Sequence, residues 1–400
     1  MQSVFRRKEV LSPRHVPGRL PHRQAHVDML RSIFAEFLER PGEAYQKVIQ
    51  IYGPAGSGKT CTAVCFGRGL AGEAEKRGLS LRVVHVNCKV GVDSVYALYQ
   101  AIMQKVSPES MGRGYSPSEM LRQTMLHLRR AGEYMLLVVD DVDYLVRTLK
   151  EKRGEGGVIF DLTRLNEMFL GEEQRVAGVI FIAKDAAFRE LLDPSEVSSL
   201  GSLIIRLPPY TSAQLAEILA DRVREAFRPG AVSDEVIEFV ADLTAGKQYN
   251  PGDCRFALDI LLAAGVIADS EWCSHVKLDH VRMAAAEWFD GISTEELMEL
   301  GEHELLVLRA AAEALRHSEK AYVTVREVWE YCRLVCADGE AELRLSYEKT
   351  REIVHDLHRR GIIHVSKKGI SIIGAAVRDL SKVIQTMEMG LGGEKFGRRS

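Results

Sequence analysis

Several features are scarce in this chain, and each scarcity removes a class of protein. No run approaches the roughly eighteen uninterrupted apolar residues that a bilayer-spanning helix requires. Met1 to Lys8 holds no apolar stretch of the kind that opens a secretory leader, so the chain is expected in the cytoplasm, beside the nucleoid and away from membranes. Seven cysteines, at 61, 65, 88, 254, 273, 332 and 336, form an odd set without a C-x-x-C pair. That pattern argues against a disulfide framework and against a zinc site, and leaves reduced core thiols as the expectation. Net charge is scarce too: 53 Lys and Arg face 56 Asp and Glu, a balance of −3. The chain is therefore no polycation, and any nucleic-acid surface has to be a local patch. No internal repeat is visible. What is present is 46% hydrophobic and 27% charged residues over 400 positions, enough for two or three domains with a sizeable core.

The most specific feature is Gly53-Pro54-Ala55-Gly56-Ser57-Gly58-Lys59-Thr60, a full match to the phosphate-loop pattern G-x-x-x-x-G-K-[ST]. Its glycines let the loop curl until backbone N–H groups point at phosphate oxygens, Lys59 meets the β- and γ-phosphates, and Thr60 can ligate Mg²⁺. An apolar run, Val48 to Tyr52, precedes it and a helix-forming stretch, Thr60 to Ala74, follows, which is the strand–loop–helix order the chemistry needs. A second run, Met135 to Val139, ends in Asp140 and Asp141. Asp140 is placed for the metal shell, and Asp141 where a base or water-orienting carboxylate is wanted.

Further β-rich runs, Leu81 to Val86, Val176 to Ile182 and Leu203 to Leu207, alternate with helical stretches, so the first part of the chain reads as α/β with a parallel sheet covered on both faces. Pro208-Pro209 ends that pattern. Helices are expected at 212–227, 233–244 and 251–268, the last with Pro251 in its first turn. From about Gly301 three more helices, at 303–317, 324–337 and 346–360, precede two short strands around Lys367-Lys368-Gly369, the order of a winged helix. Ser346 suits an N-cap of the third helix, and Lys349 and Arg351 lie away from its apolar face. Between Arg344 and Lys368 seven Lys/Arg stand against three Asp/Glu, a local excess of four on a chain whose balance is −3. That segregation suits phosphate binding, with Lys367 and Lys368 at the tip of the wing. Glu151 to Gly157 reads as a charged, glycine-rich surface connection, and Met387 to Ser400 as a frayed tail.

These patches together resemble the AAA+ initiators of DNA replication, of the archaeal origin-recognition and cell-division-cycle type, over nearly the whole length. The resemblance rests on 11–23, on His85-Val86-Asn87-Cys88, on Asp140-Asp141-Val142-Asp143-Tyr144-Leu145 as the acidic box, on Leu192-Asp193-Pro194, on Leu207 to Tyr210, and on Gly252-Asp253-Cys254-Arg255-Phe256-Ala257-Leu258. It implies an AAA+ P-loop NTPase core over 1–209 with a DNA-contacting helical insertion at about 90–130. A helical lid over 210–298, a winged helix over 299–388 and a flexible tail over 389–400 would follow. ATP or ADP with Mg²⁺ would be held by Val16, Pro17 and Arg23 near the base, by 53–60, by Tyr210, by Lys184 as first sensor and by Arg255 as second sensor. Lys59 and Asp141 would be the catalytic pair, and Thr60 and Asp140 the metal residues. Arg113 and Tyr115 in the insertion would join Lys349, Arg351, Lys367 and Lys368 on double-stranded origin DNA, and other initiator subunits and the replicative helicase are the further partners implied.

Three departures qualify that carry-over. Asp141 stands where the family has Glu, one methylene longer, so hydrolysis is expected to be slow and to serve as a switch. Lys184 replaces the usual Asn of the first sensor, a flexible cation without an amide's acceptor. Ser195 occupies the place of a frequent arginine finger, and Arg189 and Arg206 nearby read as ordinary charges. The alternative function is an ATP-regulated remodelling or signalling module whose winged helix binds protein.

Overall fold

The computed structural model describes residues 2–13, 15–110, 114–151, 157–169, 171–246, 251–286, 294–337, 345–373 and 375–396. The expected connection at 151–157 lies almost wholly outside them. The chain falls into two compact units, one of residues 16–210 with 252–254, the other of 1–15, 211–251 and 255–400.

The nucleotide unit is built on five parallel strands: β1 (Lys47–Tyr52), β2 (Ser80–Asn87), β3 (Glu133–Asp140), β4 (Val176–Ala183) and β5 (Ile204–Arg206), in the order β2-β3-β4-β1-β5. β4 is buried at every position and β3 at all but its first, which is why they read as continuous Val, Ile and Leu rather than as alternating runs. One face is covered by the helices Gln24–Glu39 and Lys59–Lys76, whose Phe34 and Phe66 pack ring to ring at 5.1 Å. The other is covered by Val95–Val106, Pro117–Ala131 and Val142–Glu151. The helices at 95–106 and 117–131 occupy the expected insertion, started by Ser94 and Ser116, whose side chains accept the N–H groups of Ala97 and Glu119. In-phase registry, Tyr52 opposite Ala183 and Asn87 opposite Asp140, brings the C-terminal ends of β1 to β4 to one edge, where α/β sheets bind their ligands.

The second unit holds the helices Ser212–Ala226, Asp234–Ala245, Cys254–Ser270 and Leu278–Ala286, the first two capped by Thr211 and Ser233. Pro251 does not start the third of them. Gly252 is left-handed at φ +71°, and the helix begins only at Cys254. Residues 1–15, expected with the first domain, pack here instead: the Arg6 and Arg7 N–H groups donate to the Ala226 carbonyl at 2.8 and 2.9 Å, and Phe5 stacks on Phe227 at 4.7 Å. Burial of Val4, Phe5, Val10 and Leu11 is the driving force.

The winged helix follows, with helices Glu302–Ser318, Val325–Ala337 and Tyr347–Arg359 and the antiparallel pair β6 (Ile363–Ser366) and β7 (Gly369–Ile372), to which Val323 adds a bridge at Ile370. A further helix, Val377–Phe396, runs through most of the stretch expected to be a tail. The glycines at 390, 392 and 393 signalled a break, but Val377, Leu380 and Ile384 are buried at helical spacing and set a register that continues past them. No helix among the described residues is long and apolar enough to cross a membrane.

Candidate nucleotide site and nucleic-acid interface

The loop between β1 and the helix Lys59–Lys76 is shaped by backbone conformations that side chains oppose. Gly56 and Gly58 lie at φ +67° and +87°. A Cβ on Gly56 would sit 1.8 Å from the Asp253 Oδ1, so Gly252-Asp253-Cys254 folds back onto the loop, and the Cys254 N–H donates to the Gly56 carbonyl at 3.3 Å. Lys59 Nζ donates to the Gly53 and Pro54 carbonyls at 2.6 and 2.9 Å. Ser57 Oγ is buried without a hydrogen-bond partner among the described residues, an orphan polar atom in a cradle of left-handed glycines, as a loop that takes phosphate oxygens needs.

The acidic strand end meets this loop. Asp140, 2% exposed, accepts from Thr60 Oγ1 at 2.6 Å, lies 3.2 Å from His85 Nε2, and accepts the Asp141 N–H at 3.0 Å. Burial pushes its carboxyl upward, yet the bonds from His85, Thr60 and the Asp141 amide outweigh it and hold Asp140 below the ordinary aspartate range. A hydroxyl and an ionised carboxylate side by side are the donor set that hard divalent cations take, so the residues fit Mg²⁺. Asp141, at φ +55°, directs its carboxylate to Asn87 Nδ2 at 3.1 Å and Lys89 Nζ at 3.0 Å. Lys184 is exposed just beyond β4, and its carbonyl accepts the Gly53 N–H at 3.1 Å.

Arg23 is almost fully buried. Its Nε donates to the Ser57 carbonyl at 3.0 Å, its Nη2 to Pro208 at 2.7 Å, and its guanidinium lies 4.0 Å over the Tyr210 ring. Burial lowers Arg23 from its ordinary value and pushes Tyr210 up to about 12. These two side chains therefore pack together against the loop. Val16 and Pro17 are half-buried, the Pro17 carbonyl accepting from Cys65 Sγ on the loop's helix. Arg255 is exposed in the first turn of Cys254–Ser270, in the other unit.

The structure thus brings together 53–60, Asp140, Asp141, Lys184, Arg23 and Tyr210. Three residues beside the acids, His85, Asn87 and Lys89, carried no sequence-based role. Their signal was available, since a strand paired in phase with β3 must place its own last residues beside Asp140 and Asp141.

On the winged helix, Ser346 caps the third helix through the Lys349 N–H at 3.2 Å. Thr350, Ile353, Val354 and Leu357 are buried, and Lys349 and Arg351 face solvent. Each Lys and Arg of that helix has an acidic neighbour three residues away: Lys349 with Glu352 at 3.0 Å, Arg351 with Glu348 at 3.4 Å, and Arg359 with Asp356. The positive excess of the region therefore lies outside the helix, at its flanks and on the wing. Lys367 is exposed at the hairpin tip, and Lys368 is ion-paired to Glu238 and Asp242. Tyr115 is half-buried and packs against the core cluster, so it is not the exposed turn residue expected. Arg113 lies outside the described residues. One group with metal-binding atoms within 4.8 Å, Glu271, Cys273 and His280, is found among the described residues. His280 Nδ1 accepts the Lys277 N–H at 3.1 Å, so the proton sits on Nε2 facing Glu271, a hydrogen bond in place of a ligand lone pair.

Comparison with known proteins adds the following. The AAA domain model matches residues 43–192, the Cdc6 AAA+ ATPase-type lid domain model 216–286, and the model of the C-terminal winged helix domain of CDC6 295–374. The ORC1-type DNA replication protein 2 of Sulfolobus acidocaldarius is 31% identical over 93% of this chain and 88% of its own. The ORC1-type DNA replication protein of Pyrococcus abyssi is 30% identical over 91% and 84%. Among solved structures, Cdc6p from Pyrobaculum aerophilum superposes with a TM-score of 0.78 at 28% identity, covering 96% of this chain and 98% of that one. The Aeropyrum pernix ORC1 protein in complex with DNA gives 0.62 at 27%, with the same coverage.

Proposed function

We infer the function from one premise: the chain belongs to the family of ORC1-type DNA replication proteins. It is an origin-binding initiator that grips duplex DNA under the control of a bound nucleoside triphosphate. The observation that carries this reading is that similarity runs through both units at once, from the phosphate loop to the winged helix, and that one similar structure at 27% identity is bound to DNA.

ATP would lie on 53–60, with Lys59 turning from the Gly53 and Pro54 carbonyls to the phosphates and Lys184 reaching them from β4. Thr60 and Asp140 would hold Mg²⁺, which supplies charge neutralisation at the phosphate oxygens. Asp141 would orient water from between Asn87 and Lys89, and its short reach supports slow turnover. Arg255, next in sequence to the stretch that clasps Gly56, would distinguish ATP from ADP, since only the γ-phosphate offers it a differential contact. Lys349, Arg351 and Lys367 would meet the duplex, phosphate contacts giving affinity and base edges and DNA deformation giving specificity. Other initiator subunits and the replicative helicase are the partners this reading adds.

Fluorescence anisotropy of duplex DNA with the full chain, across a salt series and with ATP or ADP, tests it. Affinity should fall steeply with salt, by about 0.9 in its logarithm per logarithm of salt for each phosphate neutralised. Arg351→Ala should weaken binding roughly tenfold with nucleotide affinity unchanged. Absence of duplex binding at low salt in either nucleotide state would favour a protein partner for the winged helix.

A further inference from the structure

The wing is short. β6 and β7 are joined through Ser366, Lys367, Lys368 and Gly369, and Gly369 at φ +136° passes so close to Val323 that a Cβ there would lie 2.6 Å from its carbonyl oxygen. The hairpin is thereby fixed over the segment Lys320-Ala321-Tyr322, which is in turn pinned to the helices of the same unit. Arg282, 3% exposed, donates to the Lys320 and Ala321 carbonyls at 3.0 and 3.3 Å, the Ala321 N–H donates to Glu235 at 3.0 Å, and Tyr322 meets Phe239 edge-on at 5.5 Å. Where they meet is a shallow cleft of about 250 Å³ whose rim carries Glu235, Glu238 and Asp242.

Lys368 reaches into that cleft. Its ammonium lies 3.0 Å from Glu238 Oε2 and 2.9 Å from Asp242 Oδ2, while Lys367 beside it has no ion pair among the described residues. Asp242 is itself oriented by Ser212 Oγ and the Tyr322 hydroxyl. Two carboxylates on one ammonium imitate what a DNA backbone offers, anionic oxygens at hydrogen-bond distance. The lysine pKa is raised, chiefly by the Asp242 bond, in keeping with that pairing.

We propose that Glu238 and Asp242 act as an internal competitor for DNA, holding the wing lysine Lys368 away from the phosphate backbone. Only the lysine side chain needs to move, because Arg282, Glu235 and Phe239 keep the wing seated on its helices whichever anion Lys368 faces. This rests on the DNA-binding reading of the winged helix.

A double-mutant cycle in the full chain tests it by duplex anisotropy. Lys368→Ala alone should change affinity less than about twofold, since the ammonium is engaged within the protein. Glu238→Gln with Asp242→Asn should raise affinity about fivefold at 0.1 M salt and steepen the salt slope by about one phosphate equivalent. That gain should vanish when Lys368→Ala is added, whereas a general loss of negative charge would act with or without the lysine. If Asp242→Asn fails to fold, Glu238→Gln alone with and without Lys368→Ala makes the same comparison. A tenfold loss from Lys368→Ala in the parent, or a gain that survives Lys368→Ala, overturns the tether while leaving DNA binding intact. A parent chain that binds no duplex overturns the DNA reading itself.

Discussion

Asp141 is one methylene shorter than a glutamate would be, and its backbone adopts a left-handed conformation unusual for a side-chain-bearing residue. Asn87 and Lys89 hold its carboxylate from the neighbouring strand end. Two variants follow. Asp141→Asn is expected to lower ATP hydrolysis by about a hundredfold or more with nucleotide affinity retained, and Asn87→Ala to lower it roughly tenfold by freeing the carboxylate. Single-turnover hydrolysis beside equilibrium binding separates the two, and unchanged hydrolysis in Asp141→Asn removes the base assignment. Lys59→Ala should instead weaken ATP binding itself, about tenfold or more in titration, because a charge-assisted contact is lost. At this scale the phosphate loop and the acidic pair were legible because each is a contiguous string. Arg23 was legible only as part of a resemblance, and its burial and its bond to the Ser57 carbonyl are tertiary information that no local pattern carries.

Strands β3 and β4 were read from sequence nearly to their ends, since a strand buried on both faces leaves an unbroken apolar run. The start of Cys254–Ser270 and the C-terminal helix were misread for one shared reason, that glycine and proline report local backbone preference while burial of a whole face decides the outcome. The joint between the winged helix and its neighbouring helices was not legible at all, because its members, His364, Tyr322, Arg282 and Asp242, come from separate elements. Burial lowers both His364 and His280 from their ordinary value of 6.5, and His358 lowers His364 further. With the folded pKa depressed, the unfolded chain takes up protons first as pH falls below about 6.5, so these two histidines cost stability on acidification. Melting temperature should therefore drop between pH 7.5 and 5.5, and His364→Asn should reduce that drop. An identical pH dependence in the variant would assign the loss to other groups.

On the scale of the whole chain, a clean succession of domains was expected, and the structure departs from it at 1–15 and at 252–254. Both are short, and each is held by a few specific contacts: Phe5 against Phe227 in one case, Asp253 and Cys254 against Gly56 in the other. A fragment of residues 16–210 lacks the second of these. It should bind ATP at least tenfold more weakly than the full chain. Arg255→Ala in the full chain, which keeps the clasp on Gly56, is the control: if it loses as much as the fragment, the clasp contributes nothing.

The backbone passes between the two units at 15–16, 210–211, 251–252 and 254–255. Beads on a string part company at a single scission, but here one proteolytic nick anywhere leaves at least one covalent connection in place. Limited digestion under native conditions should therefore yield fragments that travel together until denaturant is added, and no contiguous stretch of the gene encodes either half by itself.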